Sequence, residues 1–264
     1  MKYFKYWVKE THRIRVAGQP EEIKLLVGSN ESKEAASAQA LLRARDIEAR
    51  IQNRDARDDY ESGIKEHVSR VLDDANVVTI CRYGAKILNT AQYTVLDLDD
   101  YPKSFCDLFG AARKMTKKER IVFKFEQAVA KLPALGSDFR IYETANGIRV
   151  IGKQYLDPAA PRSMQIMRKV HVDWLYMVLS CKQRCFRARL SPKPYRLGIK
   201  TIKVSSPLVC ETDEYQRWDQ MYEAASRDVS VVHYLKSIGK DFARDPVVRF
   251  HDEQCNAHKG FKLA

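Results

Sequence analysis

"FRIYETANGIRVIG", residues 139–152, is two apolar-rich runs separated by Ala145-Asn146-Gly147. Asn-Gly readily takes the positive φ angles of a tight turn, and β-branched and aromatic residues suit strands, so the stretch predicts an antiparallel hairpin. Working outward, Val122, Phe125, Val129 and Leu132 recur at helical spacing and Pro133 closes that helix. Before it, Val77–Ile80, Ile87-Leu88 and Tyr93–Leu96 are strand-like and broken by turn residues. After it come expected helices at 162–169, 174–180 and 213–227, a strand at 185–190, and a further strand at 195–204. Hairpins alternating with helices predict an α+β layer fold with a mainly antiparallel sheet.

The N-terminal part has a different texture. Tyr3–Val8, His12–Val16 and Ile23–Val27 are strand-like, with a turn at Ala17-Gly18-Gln19-Pro20. A long charged helix follows, on which Ala40, Ala44, Ile47 and Ile51 form a thin apolar stripe. A polar break is expected at 55–59, and then Tyr60, Ile64, Val68 and Val71 resume helical spacing to about Asp73. The expected division is therefore an N-terminal hairpin and helical unit, residues 1–75, before an α+β domain, 76–264. The first unit packs on the second or serves as a partner-binding arm.

The chain of 264 residues has 46 Lys and Arg against 34 Asp and Glu, a net charge of +12. Surplus cations raise the surface potential and favour a polyanionic partner. The N-terminal lysines interrupt the apolar run that a secretory signal needs, and no stretch of about 18 apolar residues occurs, so a cytoplasmic protein without a membrane span is expected. The six cysteines are scattered singly, which predicts reduced thiols. Cys181 and Cys185, with His251, Cys255 and His258, do not follow a recognised metal-ligand pattern.

The residues that could carry chemistry lie in two places. In "YTVLDLDDYP", residues 93–102, Asp97 and Asp99 alternate with Leu96 and Leu98, so a strand would present both carboxylates on one face. Two such carboxylates repel, and a shared divalent cation relieves the repulsion. An acidic turn at a strand end is the bland alternative. Downstream, Asp173 precedes a run, Trp174 to Cys210, without one Asp or Glu but with eight Lys and Arg. There Arg187 and Arg189 alternate with Phe186, Ala188 and Leu190, placing both guanidiniums on one face for bidentate contacts to phosphate. Trp174 and Tyr176 are expected in the core, as is the stripe Tyr215, Trp218, Met221 and Tyr222.

In this order, an Asp-x-Asp on a strand, the hairpin, an apolar-Asp-x-x-Tyr and an Arg-rich Phe-Arg-x-Arg-Leu-Ser-Pro-Lys segment resemble the archaeo-eukaryotic primase superfamily, in particular its primase-polymerase branch. The resemblance covers roughly residues 76–200. It implies an RRM-like antiparallel core with flanking helices, and a metal-dependent nucleotidyltransferase acting on nucleic acid with a nucleoside triphosphate. Asp97, Asp99 and Asp173 would be the catalytic ligands of Mg²⁺ or Mn²⁺. Arg149, Arg187, Arg189 and Lys193 would contact nucleotide or template. The family's middle motif ends in His, whereas this chain has Arg149 there; Arg binds phosphate but lacks imidazole proton chemistry. Two alternatives therefore stay open: a nucleic-acid or nucleotide-binding module of the same fold without turnover, and a basic protein-interaction subunit.

Overall fold

The computed structural model describes residues 1–53, 63–101 and 114–264. The first two N-terminal strand-like runs merge into β1 (Tyr6–Val16), which pairs along its whole length with β2 (Gln19–Ser29), where the third run lies. Ala17 and Gly18 turn the chain at φ 50° and 83°, both left-handed, as the two-residue hairpin requires. Helix α1 (Lys33–Asn53) lies on this hairpin and buries Ala36, Ala40 and Ala44, whose small side chains allow a close approach. Ile51, expected on that stripe, is exposed. The Glu48 carboxylate accepts from the Arg15 backbone N–H at 2.9 Å and ties the helix to β1.

Two four-stranded antiparallel sheets form the rest of the framework. One runs in the order β3 (His67–Asp73), β4 (Asn76–Ile80), β5 (Lys86–Thr90), β9 (Phe186–Arg189). The other runs β11 (Val232–Ile238), β7 (Phe139–Thr144), β8 (Ile148–Gly152), β6 (Thr94–Leu98). The described helices are α1, α2 (Lys117–Lys131), α3 (Pro161–Lys169), α4 (Trp174–Gln183), α5 (Asp213–Ser226) and α6 (Pro246–Gln254), so the architecture is mixed α+β with several antiparallel sheets. A short parallel pair joins β10 (Val229–Ser230) to β12 (Lys262–Leu263). Among the described residues no helix is long and apolar enough to cross a membrane.

Helix α2 starts where Thr116 and Glu119 cap each other's backbone, and it buries Ile121 and Phe125. Phe125 meets Phe139 of β7 edge to face at 5.4 Å, within the core between α2 and the β7–β8 hairpin. No strand ladder joins β6 to β9, the two neighbouring edges of the sheets. Tyr176 of α4 closes that seam: its hydroxyl donates to the Val95 carbonyl at 2.8 Å and accepts from the Arg187 N–H at 3.2 Å.

Two expectations need correction. The apolar positions Ile64, Val68 and Val71 belong to a bridge and to strand β3, not to a helix; pairing with β4 overrides their helical spacing, and the expected boundary at 75 falls in the β3–β4 turn. Residues 195–204 form no strand: Pro194 and the left-handed Gly198 bound a 3₁₀ turn, and irregular chain follows. The expected break at 55–59 and Tyr60 lie outside the described residues. Strand β11 and helix α6 were not expected from the sequence.

Gly147 at the hairpin tip is required by a close approach. A Cβ there would run into the Leu98 carbonyl oxygen and stand 3.0 Å from Asp99 Cα. Backbone cannot swing away as a side-chain tip can, so Gly147→Ala is expected to lower stability by about 1–3 kcal/mol, as overpacking does. Chemical denaturation measures this; an unchanged midpoint would show that the tip does not press on residues 98–99.

Candidate functional site

Asp97 and Arg149 stand directly opposite in the β6–β8 ladder. A cross-strand pair of opposite charge is favourable, and here it is a fork: Arg149 Nε donates to Asp97 Oδ1 at 2.9 Å and Nη2 lies 3.4 Å from Oδ2. Arg149 is only 1 % exposed. Its Nη1 donates to the Arg189 carbonyl at 2.8 Å, so this one guanidinium reaches from β8 to β9 and reinforces the seam. Nη1 also lies 3.4 Å from His251 Nε2 on α6, while His251 Nδ1 is 2.9 Å from Asp252 Oδ1. Asp252 in turn accepts from Arg140 Nη2 at 2.9 Å. The polar chain Asp97–Arg149–His251–Asp252–Arg140 thus runs from the site through the interior. Arg149 does not present its fork to solvent, a different setting from the phosphate-facing one expected of it.

Asp99 follows the end of β6 and sits against the 145–147 turn. Asp173 is the N-cap of α4, where its Oδ1 accepts from the Tyr176 N–H at 2.8 Å. The three aspartates share one electrostatic neighbourhood. The Asp99 carboxyl is pushed above the usual aspartate range by partial desolvation and then by Asp97 and Asp173, against the pull of Lys117 and Lys193. Oxygen donors of this kind suit Mg²⁺ or Mn²⁺. Among the described residues no three His, Cys, Asp or Glu side chains are grouped closely enough to hold an ion. Beside Asp99 a cleft of about 660 Å³ is lined by Thr116, Lys117, Lys118, Glu143, Ala145 and Asn146.

A raised folded-state pKa means that the fold prefers the neutral carboxyl. Its stabilising contribution is therefore present at low pH and lost as pH rises through the folded-state value. Asparagine imitates the neutral form, so Asp99→Asn is expected to be more stable than the parent at pH 7. The gain stays below about 1 kcal/mol because surface charge is screened, and it vanishes below the ordinary aspartate value of 3.8. Thermal melts at both pH values test this; a lower melting temperature at pH 7 would contradict it.

The basic run separates into two groups. Arg187 and Arg189 do share a face of β9, but Arg187 is committed to Glu66, with Nη2 at 2.8 and 2.7 Å from the two carboxylate oxygens, and to Gln183 at 2.9 Å. Glu66 lies 121 residues away in sequence, so the acid-free run gave no sign of this partner. Lys193 instead lies near Asp99 and over the Tyr195 ring, and Arg189 acts electrostatically on Tyr195. Tyr176 is in the interior as expected, whereas Trp174 is 60 % exposed beside Arg168. Tyr215, Trp218 and Tyr222 are buried and Met221 is exposed. Lys117 and Asp252 are further members of the site's surroundings that sequence reasoning missed, and His251, weighed there only as a metal ligand, joins them from α6.

No protein family, no characterised protein and no solved structure compared with this chain matches it.

Proposed function

We propose that this chain handles nucleic acid as a metal-dependent nucleotidyltransferase of primase-polymerase type. The observation that carries the reading is the shared field of Asp97, Asp99 and Asp173, which disfavours the charge on Asp99 and leaves an acidic centre flanked by Lys117 and Lys193. An RRM-like core is part of the proposal. The chain order β6-α2-β7-β8-α3/α4-β9 is a β-α-β-β-α-β series, and with β9 held beside β6 by Tyr176 the spatial order becomes β7-β8-β6-β9. Asp97, Asp99 and Asp173 would hold Mg²⁺ or Mn²⁺ once drawn closer together than they stand here, where no three such side chains among the described residues are grouped closely enough for an ion. When bound, the metal would activate a 3′-hydroxyl and offset charge on the triphosphate. Arg149 fixes the Asp97 carboxylate, and Lys117 and Lys193 draw phosphate toward the cleft.

A second reading, a binding module without turnover, is favoured by the Arg149 fork, which already engages both Asp97 oxygens. Primer extension with labelled nucleotides and Mn²⁺, beside Mn²⁺-dependent melting, separates the two. Extension with a metal-induced rise in melting temperature supports the enzyme; oligonucleotide binding without either supports the module.

A further inference from the structure

Tyr195 stands on the 3₁₀ turn Pro194–Leu197 and is 61 % exposed. Proline at the start and Gly198 at the end, with φ 70°, hold the turn in shape, so the ring is presented by a fixed piece of backbone. Lys193 Nζ and Arg196 Cζ each lie 5.9 Å from its centroid, near the outer limit of a cation–π contact. They lie over the ring at that distance and charge its surroundings, and the residue stays exposed. The Tyr195 phenol is correspondingly pulled below its ordinary pKa, chiefly by a hydrogen bond from Arg196 and then by the Lys193 and Arg189 charges.

A cleft of about 560 Å³ opens beside the ring, lined by Arg196, Leu197, Val229 and Lys262 among others, and among the described residues no acidic side chain lines it. It reaches Ala145, at the tip of the β7–β8 hairpin, and Ala145 also lines the Asp99 cleft. One turn thus separates the acidic centre from an aromatic ring surrounded by cations. An exposed aromatic face with cations around it has the chemistry to take a base by stacking and its flanking phosphates by charge. A duplex hides its base faces, so the fitting partner is an unpaired strand.

We propose that Tyr195 is a stacking platform for a base of single-stranded nucleic acid, with Lys193, Arg196 and Lys262 on the adjoining phosphates. The inference rests on the nucleic-acid part of the function proposed above but not on catalysis. The test is fluorescence anisotropy at low salt with a short labelled oligothymidylate and with an abasic strand of equal length, without metal or nucleotide. Tyr195→Ala is expected to weaken oligothymidylate binding roughly 5- to 150-fold, the loss of one base stack, while Tyr195→Phe keeps it within about twofold. On the abasic strand the parent and Tyr195→Ala bind alike, because only the phosphate contacts remain. Equal affinity of the parent and Tyr195→Ala for oligothymidylate, or an equal loss on the abasic strand, overturns the stacking role alone. Failure of the parent to bind any oligonucleotide overturns this inference together with the nucleic-acid reading.

Discussion

Arg149→Met is expected to lower unfolding free energy by about 3 kcal/mol, the lower end of the range for removing one partner of a buried ion pair. Methionine keeps much of the arginine's volume but none of its donors. The Arg189 carbonyl across the seam keeps only the Cys255 thiol at 3.6 Å, and the Asp97 carboxylate loses its partner. The loss stays at the low end because the Asp97 side chain is 35 % exposed and regains water. Arg149→Lys keeps the charge but not the fork, and it is expected to recover only part of the stability. Urea denaturation of the three proteins measures this directly. A loss under about 0.5 kcal/mol for Arg149→Met, the size of an ordinary surface substitution, would show that the Arg149 guanidinium does not hold the two sheets together.

The second large effect concerns activity. Asp99→Asn is expected to cut metal-dependent primer extension at least about 100-fold, the loss typical of a group that stabilises charge at a reacting centre. The same variant gains stability at pH 7, since it removes a carboxylate that desolvation, Asp97 and Asp173 all disfavour. Opposite signs in the two measurements are the signature of a residue kept for function at a cost to the fold. A variant that extends primers as well as the parent would falsify the enzymatic reading. A variant that is inactive because it is less stable would instead assign Asp99 a structural role.

Local patterns made much of the fold legible. The strand-like runs on either side of Asn146-Gly147 gave the β7–β8 hairpin, although neither turn residue takes the positive φ expected there, and Val122, Phe125, Val129 and Leu132 gave α2. The failures came where distant pairing or proline decided the outcome. Val68 and Val71 sit at helical spacing yet become a strand because β4 is available to pair with them. Tyr195 to Val204 alternates like a strand, but Pro194 and Gly198 impose a turn. For the candidate site, the D-x-D spacing put Asp97 and Asp99 at the end of one strand, while the commitments of Arg149 to Asp97 and Arg187 to Glu66 depend on chain separations of 52 and 121 residues. Spacing reveals which face a cation occupies; it does not reveal which anion reaches it first.

The seam between β6 and β9 also bears on aggregation. An unpaired strand edge is a template for another chain, and proteins cover such edges or interrupt them. Here two edges shield each other, held by one phenol and one guanidinium rather than by a continuous ladder. Loosening either contact bares both edges together, so variants at Tyr176 or Arg149 should self-associate in proportion to protein concentration before they unfold outright.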